Sequence, residues 1–360
     1  MVKSWAKKGY EMTNKNSDIT NVIKTQRVTA DQVAEAAGVS QSAVSRVYTP
    51  GASVSQKIKD KVKKAAKELG YRPNMLARSL ITGQSRLIGL VVAHLENLFY
   101  ADVIEKLSHA LQSQGYHLLI FMAMNDKDST LKVVDELLDY QVDGIITASL
   151  SLSSDLTDRC HTENIPVVML NRLQDDDQLS GVSSDNFFGG RKVAEFFVKG
   201  NHKRIAHISG WTGSSTQRDR EAGFILGLQE SGQKLFAKAV GNYDRETAKQ
   251  ATIELFANKT ETSRPDAVFV ANDFMAFAVM DTLRYELGLK VPEDVSVVGY
   301  DDVAVASWES YSLTTVSQPA QRMADEVVST LLEKIANPDS PPRRISIDGP
   351  LIVRNSAKKP

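Results

Sequence analysis

From residue 86 onward the chain repeats one unit: a short apolar run, a turn, an amphipathic stretch, then another apolar run. The runs at 87–92, 118–122, 144–148 and 167–170 are short and apolar throughout, which predicts parallel strands covered on both faces. Helical periodicity lies between them, near 100–114, 129–140 and 154–163. The pattern then resumes, with strands expected at 205–209, 267–271 and 296–300 and helices near 186–199, 217–231, 245–257 and 274–287. Two consecutive runs of βα units predict an α/β body of two doubly wound parallel-sheet subdomains. Such sheets bind ligands in the crevice beyond the carboxyl ends of their strands.

The first 85 residues have a different character. They hold fifteen Lys/Arg against six Asp/Glu, whereas residues 86–360 hold 28 against 38. A basic segment on an acidic body suggests that the first part meets a polyanion, although Lys-rich helices also serve as plain solvated faces. Residues 1–26 are polar and without periodicity, which predicts a mobile basic tail with no apolar core of a secretion signal. No apolar run reaches the roughly 18 residues that span a bilayer, so no membrane partner is expected. Cys160 is the single cysteine, which excludes an intramolecular disulfide and a cysteine-bound zinc and fits a reducing cytoplasm.

Within residues 27–72 the signals are those of three short helices. Thr29 at an N-cap with Gln32 three residues later makes a capping box, and Gly38 ends the first helix. Ser40 caps a second helix from Gln41 to about Tyr48, with Val44 and Val47 inward. A third begins at Ser55, with Ile58, Val62, Ala65, Ala66 and Leu69 toward the core and six lysines outward, and Gly70 stops it. Two helices crossing closely after a tight turn define a helix-turn-helix.

The stretch from Val28 through Ser40, continuing into Ala43-Val44-Ser45-Arg46-Val47, resembles the headpiece of the lactose/galactose repressor family. So do Glu68-Leu69-Gly70-Tyr71-Arg72-Pro73-Asn74, Ala77-Arg78-Ser79-Leu80 and Leu87-Ile88-Gly89-Leu90-Val91. The likeness extends over nearly the whole chain from residue 27, and it implies a small all-α DNA-binding headpiece on a body like that of periplasmic binding proteins. It places Gln41 and Ser42 at base-reading positions and Arg46 one turn later. Gln suits adenine and Arg suits guanine in the major groove. Thr29, Ser40 and Ser45 fit phosphate contacts, with Ser40 also a cap. Thr49 stands where many relatives have Asn, a departure that bears on the half-site sequence rather than on DNA binding. Residues 73–85 resemble a hinge helix and linker. There Asn74, Ala77 and Leu80 take family DNA-contact positions, and Leu80 is expected either to wedge the minor groove or to pack on the body.

In the body, residues 86–355, the resemblance implies an effector-binding and dimerisation domain. The chain should cross between lobes near 185, near 315 and again late. Arg220, Asn272 and Asp301 match a central hydrogen-bonding trio, Asn171 a supporting contact, and Tyr100 and Tyr243 the aromatic positions flanking a ligand ring. Planar donors, a carboxylate and aromatic faces suit a sugar-like molecule. Arg220 and Asp301 could also pair with each other in the empty clamp, a pairing that can coexist with ligand binding; Tyr243 could belong only to a turn, and Asp273 and Asp185 are expected as helix N-caps.

Two other classes compete. An enzyme would need a catalytic or phosphate-binding motif, yet no G-x-x-x-x-G-K-[ST], G-x-G-x-x-G or G-x-S-x-G occurs, and no histidines pair at metal-ligand spacing. His207 reads as a satisfied strand residue. A transporter's solute-binding protein would carry a secretion signal and no basic headpiece. The sequence therefore predicts a non-enzymatic regulator without cofactor or metal, binding double-stranded operator DNA and a small effector. It is expected as a homodimer or a dimer of dimers, in the cytoplasm. Repression is the sign that the resemblance implies; sugar, sugar phosphate and nucleobase stay open as effectors.

Overall fold

The computed structural model describes residues 28–49, 51–73, 83–93, 95–123, 127–148, 154–173 and 178–360. The chain divides into two compact units, residues 1–81 and 82–360. In the first, α1 (Ala30–Ala37), α2 (Gln41–Val47) and α3 (Gln56–Leu69) surround a small core of Val33, Ala34, Ala37, Val44, Val62, Ala65 and Ala66. The capping box forms as expected: Thr29 Oγ1 accepts from Gln32 N, and Gln32 Oε1 accepts from Thr29 N. Gly38 closes α1 at φ 63°, a left-handed conformation that glycine adopts without a Cβ penalty. One expectation fails: Leu69 is exposed rather than inward. Tyr71, whose N–H donates to the Ala66 carbonyl, folds back over that core and packs there instead.

The second unit has two lobes, each built on a six-stranded sheet. The first sheet comprises β1 (Leu87–Val92), β2 (His117–Met122), β3 (Gly144–Ala148), β4 (Val167–Leu170), β5 (Ser180–Ser184) and β11 (Arg344–Ile347), in the order β11-β5-β4-β3-β1-β2, all parallel. Ile88, Leu90 and Val92 face α4 (Leu98–Ser113) and α11 (Ala320–Ala336), while Val91 joins Val134 and Leu137 of α5 (Lys127–Asp139) and Cys160 of α6 (Ser154–Thr162). Covered faces on both sides explain why β1 reads as continuous apolar sequence.

The second sheet contains β6 (Ile205–Ser209), β7 (Ala237–Val240), β8 (Ala267–Val270), β9 (Ser296–Asp301), β10 (Thr314–Ser317) and β12 (Leu351–Ile352), in the order β12-β10-β9-β8-β6-β7. Only β12 runs antiparallel, at the edge. On one face pack α7 (Asn186–Lys199) and α8 (Ser215–Glu230) through Phe197, Phe224 and Phe269; on the other, α9 (Arg245–Phe256) and α10 (Asp273–Asp281) through Leu255, Met275 and Val279. The helix expected at 274–287 runs from Asp273 to Glu286, with its last turn, Thr282–Glu286, in π geometry. The chain crosses between lobes after β5, after β10, and between β11 and β12, matching the three crossings the resemblance implied.

Candidate functional site

In the first unit the exposed residues of α2 and its cap form one polar ridge. Gln41, Ser42, Ser45 and Arg46 are all exposed, as are Ser40 and Thr29. Ser40 Oγ accepts from Ala43 N at 3.3 Å and meets Ser42 Oγ at 3.0 Å, so the cap coexists with an outward hydroxyl. Arg46 Nε donates to the Ser42 carbonyl at 3.4 Å, which leans the side chain back toward the N-terminal half of the helix. Buried Val44 holds the opposite face of α2 against the core, so the ridge is presented rather than packed. Asn74, Ala77 and Leu80 lie outside the described residues.

In the second unit a cleft of about 460 Å³ opens at the carboxyl ends of both sheets. All six side chains expected at an effector site line it: Tyr100, Asn171, Arg220, Tyr243, Asn272 and Asp301. Asn171 follows β4 at φ 70°, a left-handed position that Asn tolerates, and donates from Nδ2 to Tyr100 Oη at 2.8 Å. Tyr243 sits in a turn after β7 with Asn242, at φ 59° and 56°, and Asp244 then caps α9. The turn and the aromatic wall are thus one feature. Its ring lies against Gly210, where a Cβ would come within 2.2 Å of Tyr243 Cζ.

Arg220 is set by an unusually close helix pair. A Cβ on Gly190 of α7 would fall 2.0 Å from the Arg220 carbonyl oxygen, and one on Gly223 of α8 would fall 1.9 Å from that of Phe187. At this separation Arg220 Nε donates to Asn186 Oδ1 at 2.7 Å, Nη1 donates to the Ala271 carbonyl at 2.6 Å, and the guanidinium stacks 3.6 Å from the Tyr300 ring centre. Asp301 is 3.9 Å from Nη2, a loose ion pair. Its carboxylate is held more firmly by Gln318 Nε2 at 2.6 Å and by Asn97 Nδ2 at 3.0 Å.

Asp273 is not the cap of α10. Asn272 Oδ1 takes that role, accepting from Met275 N at 3.1 Å, and Asp273 turns inward to Thr315 Oγ1 at 2.6 Å and Val303 N at 3.1 Å. Asp185 does cap α7, as expected. Burial, and then the like charge of Asp301, push the Asp273 carboxyl up to about 7. Burial also raises Asp301, against lowering by Arg220, Asn97 and Gln318. With so many donors on Asp301, Asp273 is the member of the pair that keeps the proton. His207 is fully buried between Phe269 O (2.9 Å) and Gln217 Nε2 (3.1 Å), and burial lowers it to about 4: a neutral, satisfied strand residue.

The cleft also contains Asn97 and Trp211, which the sequence does not single out, and Arg172, which the sequence places at a strand end without a role. Asn97 caps α4 through Phe99 N and reaches Asp301 in the other lobe, but as an Asn before a helix it reads as an ordinary cap. Trp211, two residues past β6, and Arg172 stacked over it at 5.2 Å form a second aromatic wall. Trp211 lies beyond the end of an apolar run, the one signal that could have found it.

A helix-turn-helix with a presented second helix and a two-lobed α/β clamp with a polar cleft together define a ligand-responsive DNA-binding regulator. Residues 29–74 match the model for bacterial regulatory proteins of the lacI family, and residues 194–357 match the periplasmic binding protein-like domain. The HTH-type transcriptional repressor PurR of Vibrio vulnificus is 31% identical over 92% of this chain and 99% of its own length. The ribose operon repressor of Escherichia coli is 30% identical over 91% and 99%. A lac repressor dimer bound to operator and an anti-inducer superposes with a TM-score of 0.82 at 28% identity, covering 92% and 99%. A complex of the transcriptional regulator CelR with cellobiose gives 0.69 at 30% identity, covering 92% and 100%. The chain belongs to the lacI family: it is a DNA-binding transcriptional repressor with an effector-binding body.

Proposed function

We propose that the chain acts as a homodimer on a two-half-site operator in the bacterial cytoplasm, and that a sugar-like effector held between its lobes sets operator affinity. The observation that carries the effector reading is convergence: six side chains from six separate segments face one cleft. The operator-bound lac repressor dimer and the cellobiose complex of CelR support the same partners here. Gln41, Ser42 and Arg46 read base edges, and Thr29, Ser40 and Ser45 hold phosphates. Arg220, Asn272 and Asp301 bind hydroxyls while Tyr100 and Tyr243 cover apolar ring faces. The cleft reads as a receptor site rather than a catalytic one, since Asp301 is engaged by Gln318 and Asn97 with Arg220 beside it, and His207 is spent on the strand and Gln217.

A ligand shifts operator affinity only by its differential affinity for the states of the body. The test is a fluorescence anisotropy titration of full-length protein on a selected operator, repeated across a panel of sugars, sugar acids, sugar phosphates and nucleobases. One compound class should move the operator Kd, and the same class should raise the melting temperature of the free protein. Compounds that alter the melting temperature without changing operator binding would separate the clamp from repression.

A further inference from the structure

The cleft contains a buried guanidinium, that of Arg172, with no anion bonded to it among the described residues. Arg172 is only 7% exposed, and its Nε and Nη1 are buried with no hydrogen-bond acceptor among the described residues. The other buried guanidinium of the cleft, Arg220, has its Nε and Nη1 engaged and Asp301 beside it. Arg172 has the face of Trp211 and, among the described residues, nothing anionic bonded to it. Arginine cannot lose its proton to escape burial, and a ring face satisfies none of its N–H donors, so an acceptor supplied from elsewhere would offset the rest of its desolvation. Next to it Asn171 Oδ1 is likewise buried without a donor, while its Nδ2 is engaged by Tyr100. One wall of the cleft thus presents unused cationic donors beside one unused acceptor.

We propose that the effector is an anionic sugar derivative, its carboxylate or phosphate oxygens bound by Arg172 and a neighbouring hydroxyl donating to Asn171 Oδ1. This rests on reading the cleft as the effector site. An oxyanion on a carbon chain that also bears hydroxyls is the shared chemistry, and charge-assisted hydrogen bonds make the guanidinium the main source of selectivity.

The test uses full-length wild type, Arg172→Met, Arg172→Lys and Asp301→Asn. Melting and isothermal titration, at matched ionic strength, follow inorganic phosphate and the sets glucose, gluconate and glucose 6-phosphate, and ribose and ribose 5-phosphate. Wild type should favour an anionic member over its neutral parent by at least about tenfold, with the gluconate and phosphate arms telling carboxylate from phosphate. Arg172→Met should lose that preference, Arg172→Lys should keep part of it, and ligand-free Arg172→Met should melt no lower than wild type. Neutral sugars binding as tightly as their anionic partners, an undiminished preference in Arg172→Met, early melting of that variant, or a wild type indifferent to phosphate and every anion of the panel each overturns the proposal. If Asp301→Asn abolishes neutral-sugar binding while Arg172→Met preserves it, the cleft reading survives and the anion assignment alone fails. Binding undisturbed by both variants removes the cleft reading itself.

Discussion

Arg46 and Asp301 carry single-residue predictions of opposite kind. Arg46 is exposed and held only by a long bond from Nε to the Ser42 carbonyl, so Arg46→Ala should cost about 1–3 kcal/mol of operator affinity and leave the body's melting unchanged. Titration on operator and on scrambled DNA checks this, and equal losses on both would reassign Arg46 to a phosphate. Asp301→Asn should keep operator affinity and lose effector response, a coupling change of about 1–3 kcal/mol, read by calorimetry with ligand and by DNA binding with and without it. Asp273 supplies a pH signature. Its folded pKa, about 7, lies above the ordinary carboxylate value, so the folded state holds a proton that the unfolded chain has released. That contribution favours folding below about pH 4 and is lost as pH rises toward 7. Asp273→Asn keeps an acceptor for Val303 N–H, and its Nδ2 faces the Thr315 hydroxyl, which turns from donor to acceptor. It should therefore flatten the decline in melting temperature between pH 5 and pH 7.5, whereas an unchanged decline would place the proton elsewhere.

At the scale of elements, α7 and α8 decide where Arg220 stands, and they do so through two missing side chains. Gly190→Ala puts a methyl into the Arg220 carbonyl oxygen, so the helices must separate. A destabilisation of about 1–3 kcal/mol should accompany a weakened ligand response. Denaturant melts alongside ligand titration check both, and a variant as stable and as responsive as wild type would show that the pair can slide. Elements such as β1, β3, β4 and β6 were legible because burial on both faces makes their sequence apolar throughout. β5, Ser-Gly-Val-Ser-Ser, is fully buried yet polar in composition, and it was invisible to an apolar-run criterion. β7 is half exposed and β12 has two residues, too short for any periodicity to register. The trio of the cleft came from family likeness and polar strand ends. Asn97, Gln318 and the unanswered guanidinium of Arg172 depend on how distant segments meet, which no local pattern encodes.

The whole molecule is electrically divided: fifteen Lys/Arg against six Asp/Glu in residues 1–85, and the reverse balance beyond. Operator affinity should therefore fall steeply with salt, log Kd tracking log salt through counterion release. The melting temperature of the body should respond far less. Parallel anisotropy and melting series from low to moderate salt test the contrast, and a shallow operator slope would mean that the basic segment is largely a solvated face. The three crossings between lobes have a different consequence, for the order in which the protein can be made. Neither lobe is a continuous stretch of chain. Val327 and Leu331 of α11 are fully buried, and together with β11 they complete the first lobe, while β12 closes the edge of the second. A nascent chain emerging from the ribosome therefore finishes neither lobe until residues 320–352 have been synthesised. A message cut short before then yields an unfinished clamp with bare core on its first lobe, open to proteolysis, so premature termination is expected to remove the regulator rather than leave a repressor deaf to its signal.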